Sequence, residues 1–245
     1  MTNIDQSQLP DYLYGLEVAK DTSDGANNSS NLFSYDNNTK TLTIKGDLKI
    51  EDCDDNDFLN VPLLEVETVV IAHGVTNVDL PFNLTGLETI KLSDTVADLR
   101  LHWGLNGSAL KRFEVDGNNP YYMSIDGVLF TKNGETLVSF PPNYTSAEYT
   151  VPPNVKTIKK DAFYVCKNLK KITIEEDLAI EEGAFFMCLA LETIVFNNDS
   201  KIPTSDYWRG CSNAKIYMPK MDQAQLPQYF GGLPVVEGAP PQQQP

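Results

Sequence analysis

The sequence is short of cysteine and has no long apolar run. Its 245 residues include four cysteines, and no two of them are spaced as a C-x-x-C pair. This scarcity excludes a disulfide-rich scaffold and gives no zinc-ligand spacing. No stretch approaches the roughly 18 consecutive apolar residues of a membrane-spanning helix, so we expect no membrane insertion.

Basic residues are also scarce. The chain has 19 lysines and arginines against 34 aspartates and glutamates, which gives a formal net charge of −15. Such a chain repels phosphate backbones unless its basic residues gather on one face, so we expect no nucleic-acid partner. The opening residues, MTNIDQSQLPDYLYG, lack the charged-then-apolar pattern of a secretory signal. The sequence therefore predicts no signal-directed export.

Motifs that carry catalysis are missing as well. The sequence contains no GxSxG, HExxH, P-loop or GxGxxG motif. No nucleophile can be paired with either of its two histidines, His73 and His102, so structural roles are favoured for both. We expect neither an enzyme nor a cofactor.

One acidic segment imitates part of a calcium loop. Asp52, Asp54 and Asn56 match the first three ligand positions of an EF-hand. Position six is Asp57, where glycine is required, and position twelve is Leu63, where a bidentate glutamate belongs. The segment is interpreted as a solvated acidic loop, with weak divalent-cation binding left open, and no metal site is predicted.

A repeat emerges when three segments are aligned on their cysteines. The cysteines are separated by 22 and 23 residues, and the residue three positions before each one is aromatic. The pairs are Phe163 with Cys166, Phe185 with Cys188, and Trp208 with Cys211. One cysteine per repeat in the same slot predicts a buried packing position rather than a metal ligand.

Each repeat leads into a short alternating stretch of the form L-x-x-I-x-I. The stretches lie at residues 66–71, 87–92, 110–115, 169–174, 191–196 and, less regularly, 215–218. A period of 22 to 23 residues with one short strand predicts a β-rich repeat solenoid of about seven strands. Parallel strands should stack in register on one face, and the convex side should be mostly irregular.

Four regions are predicted along the chain. They are a flexible N-terminal segment (1–31), a β-hairpin cap (32–60), the solenoid (61–232) and a disordered Pro/Gln tail (233–245). A short helix is expected over residues 9–20. The solenoid is interrupted at about residues 118–146, where two apolar runs flank Asn133-Gly134 and predict a tight hairpin turn. We expect this hairpin to protrude from the solenoid.

These features resemble the BspA-like leucine-rich repeat proteins over roughly residues 60–220. The most specific elements are the Ala-Phe…Cys…Leu pattern, which begins at Ala162 and again at Ala184, and the interrupting segment SIDGVLFTKNGETLVSFPP. The resemblance implies a right-handed α/β-type leucine-rich repeat superhelix. It also implies a non-catalytic, adhesin-like protein at the cell surface or outside the cell, while the missing signal pattern leaves a cytoplasmic location open.

Function is expected on the outward residues of the stacked strands, which alternation places in columns across the concave sheet. One column contains Val70, Lys91, Glu114, Thr150, Thr173, Val195 and Tyr217, and a flanking column contains Thr68, Thr89, Arg112, Glu148, Lys171, Thr193 and Lys215. The predicted ligand-binding set is Thr89, Lys91, Arg112, Glu114, Thr150, Lys171, Thr173, Thr193 and Tyr217. The two columns hold four basic and two acidic residues, so we hypothesise that a monomer binds a protein or glycan ligand on this face.

Three other interpretations stay open at this stage. The columns could be a plain solvated sheet of β-forming residues without a partner. The chain could be a structural domain that docks into a larger assembly through the inserted hairpin. Least favoured is a carbohydrate-active enzyme that would use Glu114 and Glu148 as its two carboxylates.

Overall fold

The computed structural model describes residues 32–49, 61–80, 84–101, 105, 108–197, 208–222, 224 and 226–240, and the backbone of residues 12, 13, 16 and 17. In chain order its strands are β1 (Tyr12–Leu13), β2 (Leu16–Glu17), β3 (Phe33–Asp36), β4 (Thr41–Ile44), β5 (Thr68–Ile71), β6 (Asn77–Asp79), β7 (Thr89–Leu92), β8 (Asp98–Arg100), β9 (Arg112–Val115), β10 (Tyr122–Ile125), β11 (Val128–Thr131), β12 (Thr136–Ser139), β13 (Glu148–Thr150), β14 (Thr157–Ile158), β15 (Lys171–Ile174), β16 (Ala179–Ile180), β17 (Thr193–Phe196), β18 (Lys215–Tyr217), β19 (Tyr229–Phe230) and β20 (Leu233–Val236). One 3-10 turn covers Leu63–Glu65. The predicted β-rich repeat solenoid is confirmed.

One sheet runs through the N-terminal half in the order β3-β4-β5-β7-β9. The first two strands form the predicted antiparallel hairpin cap, and each later pair is parallel. Val69, Ile90 and Phe113 follow one another in register and are buried. Because side chains alternate across a strand, their neighbours in each strand lie on the outward face.

The N-terminal segment has no helix where the structure describes it. Where a short helix was expected over residues 9–20, the backbone forms β1 and β2, paired antiparallel with Leu13 opposite Leu16. Gly15 lies between the two strands in the sequence. Glycine lowers helix propensity and favours a turn, so the helix prediction gave too much weight to the apolar spacing.

The convex side is more regular than predicted. β6 pairs with β8, with Val78 opposite Leu99, and Leu48 makes a single bridge to Val78. Further along the chain, β12, β14 and β16 form another parallel ladder, in which Ile158 lies opposite Ile180. Backbone groups on this side therefore pair with those of the neighbouring turns, which satisfies their hydrogen-bonding requirement.

The insertion is part of the solenoid wall. β10 and β11 form a hairpin around Asp126 and Gly127, whose φ angles of +51° and +83° suit a two-residue turn. β11 and β12 pair antiparallel around the predicted Asn133-Gly134 turn, and β12 then pairs parallel with β14. The prediction that this hairpin protrudes is wrong, because Val128, Leu129 and Phe130 are fully buried.

β11 separates two hydrophobic cores. Leu129 packs in the core of the N-terminal half, whereas Val128 and Phe130 pack in the core of the C-terminal half. Buried Asn119 fastens the insertion to the N-terminal half, because its Nδ2 donates to the Ser93 carbonyl over 2.7 Å. The described chain is therefore two stacked half-solenoids that share one strand as a wall.

The sheet of the C-terminal half runs in the order β13-β15-β17-β18-β20-β19. Beneath it, Phe140, Phe163, Phe185 and Trp208 form a continuous stack with centroid separations of 4.7, 4.7 and 4.5 Å. The aromatic residue of each aligned repeat thus occupies the predicted core slot, and offset stacking adds to the stabilisation from burial.

The boundary predicted at residue 232 is too early. β20 pairs parallel with β18, with Ile216 opposite Val235 and Tyr217 opposite Val236, so residues 233–236 form the last strand of the solenoid. Leu233 is buried against the C-terminal core. The prediction extended the disordered Pro-rich tail too far toward the N-terminus. It included Leu233–Val236, a segment whose apolar residues form a strand.

Candidate functional site

The outward residues of β5, β7 and β9 form the surface that we call the N-terminal blade. Thr68, Thr89 and Arg112 lie in one register row, and Val70, Lys91 and Glu114 lie in the next. The predicted columns are therefore correct in this half. They also extend upstream to Thr41 and Thr43 on β4, which the sequence prediction missed although the stretch Thr41–Ile44 has the same alternation.

The outward residues of β13, β15, β17 and β18 form the C-terminal blade. Its two register rows are Glu148, Lys171, Thr193 and Lys215, and Thr150, Thr173, Val195 and Tyr217. Both rows contain the predicted residues in the predicted order. The register holds because Ile172, Ile194 and Ile216 fix the opposite face of each strand in the core.

The two blades are not one continuous sheet. β9 and β13 do not pair, and the Asp126–Gly127 turn packs along the free edge of β9. The Phe113 amide donates to the Gly127 carbonyl over 2.8 Å, and the Ser124 hydroxyl donates to the Phe113 carbonyl over 2.7 Å. The expected seven-strand column is thus divided into two shorter ones, because the insertion occupies the edge that a further strand would use.

Three outward residues are less accessible than a binding role requires. Thr89 is 6% exposed, Val195 is 3% exposed and Tyr217 is 7% exposed. Thr89 and Tyr217 belong to the predicted binding set, and alternation alone gave no sign of their burial. The accessible part of the surface consists of the remaining outward residues of both blades, including Lys215 on β18.

The acidic residues of the blades are paired with their basic neighbours. Lys91 Nζ lies 3.0 Å from Glu114 Oε2, and Arg112 Nε lies 2.9 Å from Glu114 Oε1. On the other blade, Lys171 Nζ lies 3.2 Å from Glu148 Oε2. Hydrogen bonding from Lys91, helped by Arg112, holds the pKa of Glu114 below its ordinary value even though burial opposes this shift. Each glutamate therefore reduces the basic surplus that the sequence predicts for this face.

The nominated catalytic carboxylates are not brought together on one sheet. Glu114 is on β9 and Glu148 is on β13, and each is held by the ion pairs just described.

His73 Nδ1 contacts Asp94 Oδ1 at 2.7 Å on the exposed surface, and hydrogen bonding to Asp94 raises the pKa of His73. His102 and the acidic segment 51–57 lie outside the described residues. Within the described ranges, no group of three or more acidic, histidine or cysteine side chains is arranged to hold a metal ion.

The repeat cysteines are buried in the C-terminal core. The Cys188 thiol donates to the Phe163 carbonyl over 2.8 Å, and the Cys211 thiol donates to the Phe185 carbonyl over 3.0 Å. Burial raises the pKa of Cys188 well above its ordinary value. Each of these two thiols therefore satisfies a carbonyl of the preceding turn, in addition to filling its core slot.

Comparison with known families identifies the repeat. Residues 138–226 match the BspA type leucine-rich repeat region in six copies. This part of the chain is a BspA-type leucine-rich repeat region. The BspA-type repeats include β13 to β18, and the resemblance inferred from the sequence is confirmed. No curated protein matches the chain.

Solved structures similar to this chain include three bacterial proteins. A leucine-rich repeat protein from Eubacterium ventriosum is 19% identical, with a TM-score of 0.46 over 74% of this chain and 68% of that protein. The pneumococcal vaccine antigen PcpA is 15% identical, with a TM-score of 0.37 over 63% of this chain and 55% of PcpA. A leucine-rich cell surface protein from Faecalibacterium prausnitzii is 21% identical, with a TM-score of 0.43 over 64% of this chain and 54% of that protein. The chain thus spans little more than half of the last two, and no functional residue is carried over from any of them.

Among the residues that the structure describes, no helical segment is long and apolar enough to cross a membrane.

Proposed function

We propose that the protein is a non-catalytic binding module that holds a protein or glycan ligand on its concave face. The observation that carries the proposal is the accessible charged group on the N-terminal blade, where Lys91, Arg112 and Glu114 lie in two adjacent register rows of a hydrogen-bonded ladder. Polar groups held on strands keep their spacing, which lowers the ordering cost of binding.

The contact surface that we propose is smaller than the full predicted set. It includes Lys91, Arg112 and Glu114 on the N-terminal blade, and Thr150, Lys171, Thr173 and Thr193 on the C-terminal blade. Thr89 and Tyr217 are left out because they are almost fully buried. The ligand would cross the gap between β9 and β13, where the turn at Gly127 reaches the concave side.

A capture experiment tests this function. The wild-type chain and the variant Lys91→Glu, Arg112→Glu, Lys171→Glu would be used as bait for extracts of extracellular matrix and cell-surface proteins. We expect a partner that wild type retains and the variant loses, since a rim charge that is reversed repels a complementary surface.

The matched control changes the same charge elsewhere. Arg100→Glu, Lys132→Glu and Lys156→Glu also alter the net charge by six units and form what we call the convex-side control. Arg100 and Lys156 have their ion-pair partners on convex-side strands or beside them, and Lys132 Nζ donates to the Gly117 carbonyl, outside the register rows of both blades. A partner that is lost equally from both variants would contradict a concave-face site, because only the total charge would matter.

Docking through the inserted hairpin is not proposed. β11 is buried on both faces and β12 continues into a ladder, so the insertion offers no projecting element.

An extracellular or cell-surface location belongs to the proposal, as the BspA resemblance implies. Labelling intact cells with an antibody against the full chain tests this location, and a signal that appears only after lysis would contradict it.

A further inference from the structure

Two cations share one carboxylate at the edge of the N-terminal blade. Glu114 receives Lys91 on one carboxylate oxygen and Arg112 on the other, at 3.0 and 2.9 Å. Both oxygens are therefore engaged, and the three side chains together keep one net positive charge. We call these three residues the Glu114 cluster.

Among the ion pairs that join two described residues, no other cluster has a cation surplus. The remaining contacts are one-to-one or place one cation between two carboxylates: Lys40 with Glu67, Lys111 with Glu88, Lys171 with Glu148, Lys156 with Glu135, His73 with Asp94, and Arg100 with Asp79 and Asp98. In a chain of net charge −15, the Glu114 cluster is a locally positive site on the outward face.

The cluster has donors beyond those that Glu114 takes. A guanidinium has five N–H donors and an ammonium has three, whereas each cation makes a single close contact with Glu114. The side chains of Lys91 and Arg112 are 48% and 58% exposed, so a ligand can reach them. Lys91 and Arg112 lie close enough together to contact the single carboxylate of Glu114, so a carboxylate of a ligand can also contact both.

The insertion positions one of the two cations. A Cβ atom at Gly127 would lie 2.7 Å from the Arg112 Cβ, so the turn of the β10–β11 hairpin packs tightly against the base of the Arg112 side chain. Glu114 Oε1 then holds the Nε atom. Arg112 is therefore restrained from two sides, which prepares its guanidinium for planar recognition of a carboxylate.

We propose that the Glu114 cluster binds an aspartate or glutamate side chain of an acidic protein segment. The inference rests on the concave-face function proposed above and names the chemistry of its ligand. A protein carboxylate is preferred to a uronic acid because the outward residues of the N-terminal blade include no aromatic ring on which a sugar could stack. Glu114 competes with the incoming carboxylate for the same two cations.

Because Glu114 competes with the ligand, neutralising Glu114 and neutralising Arg112 should change the affinity for an acidic peptide in opposite directions. Fluorescein-labelled hexaglutamate would be titrated with the full chain at low and at physiological salt, and its fluorescence anisotropy measured. Arg112→Gln should weaken binding about threefold to fivefold, whereas Glu114→Gln should strengthen it by a similar factor, in keeping with the modest strength of exposed ion pairs. Higher salt should weaken both the wild-type and the Glu114→Gln complexes.

Matched variants and probes fix the interpretation. Glu135→Gln makes the same charge change in a one-to-one pair away from the blades and should leave binding nearly unchanged. Hexaglutamine should not bind. Weaker binding by Glu114→Gln, unchanged binding by Arg112→Gln, or binding of oligogalacturonate in place of hexaglutamate would each overturn the inference. A captured partner that is lost on charge reversal, together with no binding of hexaglutamate, would overturn this inference alone and leave the proposed function intact.

Discussion

Leu129 and Phe130 are consecutive residues of β11, and their side chains lie in different hydrophobic cores. A strand points successive side chains to opposite faces, and here both faces are covered by protein. The relationship makes β11 a shared wall, so a change at one of these residues should be felt mainly in one half of the molecule.

Leu129→Ala and Phe130→Ala should therefore destabilise different halves. Each truncation leaves a cavity and should lower the free energy of unfolding by about 2–5 kcal/mol. Hydrogen exchange read by mass spectrometry should show faster exchange in β5, β7 and β9 for the first variant, and in β15 and β17 for the second. Identical exchange patterns in the two variants would show that the cores are not separate.

The turn between β10 and β11 should not tolerate a side chain at Gly127. Its φ is +83°, and an added Cβ would lie 2.7 Å from the Arg112 Cβ and 3.3 Å from the Arg112 Cα. We expect Gly127→Ala to destabilise the chain by about 1–3 kcal/mol in thermal or chemical unfolding. Gly117→Ala is the control, because an added Cβ there would meet no heavy atom within 4 Å. Equal effects of the two substitutions would contradict the packing of this turn on β9.

Asp47 should make the N-terminal end of the solenoid sensitive to acid. Its carboxylate accepts hydrogen bonds from the backbone amides of Thr76 and Asn77, over 2.6 and 3.0 Å, and these bonds lower its pKa from 3.8 to about 2. A depressed pKa means that the carboxylate stabilises the fold above its ordinary pKa. This stabilisation is lost as the pH falls from about 4 through about 2. The protection factors of the Thr76 and Asn77 amides, which correct for the pH dependence of intrinsic exchange, should fall over that range.

The variant Asp47→Asn is the control for the acid effect. Asparagine keeps an acceptor oxygen but has no charge to lose, so the protection factors of these two amides should be lower at neutral pH and should no longer change between about pH 4 and pH 2. Persistence of the wild-type pH profile in this variant would show that another carboxylate controls the end of the solenoid.

The repeat cysteines should be unreactive in the folded protein. The thiolate is the reactive form of a cysteine. Burial raises the pKa of Cys188. The pKa of Cys211 is raised by a hydrogen bond with Cys188 and, to a smaller extent, by burial. In a Cys53→Ser background, iodoacetamide should modify none of the three remaining thiols at neutral pH, and all three in denaturant. Rapid labelling without unfolding would contradict the core assignment.

The register of both blades could be predicted from the sequence because alternate positions of each strand are apolar. Burial of these residues determines which face of the strand points into the core. Ile90, Ile172 and Ile194 are buried, and a slip of one residue would expose them. The aromatic and cysteine slots were predictable for the same reason, since they recur at a constant spacing in Phe163, Phe185 and Trp208.

The division of the concave face was harder to predict. The Asn133-Gly134 turn was recognised, but the equivalent signal at Asp126-Gly127 was not, and it forms the turn that seals β9. The run Val128–Phe130 also carries a signal, because three successive apolar residues suit a strand that is buried on both faces. Burial of Thr89 and Tyr217 was not predictable from alternation, which assigns a side chain to a face of the strand but does not give its exposure.

The most direct test of the binding function is the dissociation constant of a captured partner for wild type, for the Lys91→Glu, Arg112→Glu, Lys171→Glu variant and for the convex-side control. We expect the concave-face variant to bind at least about tenfold more weakly while the control stays within about twofold of wild type, because only the first three residues would face the ligand. Equal affinity of all three chains would contradict the concave face as the binding surface.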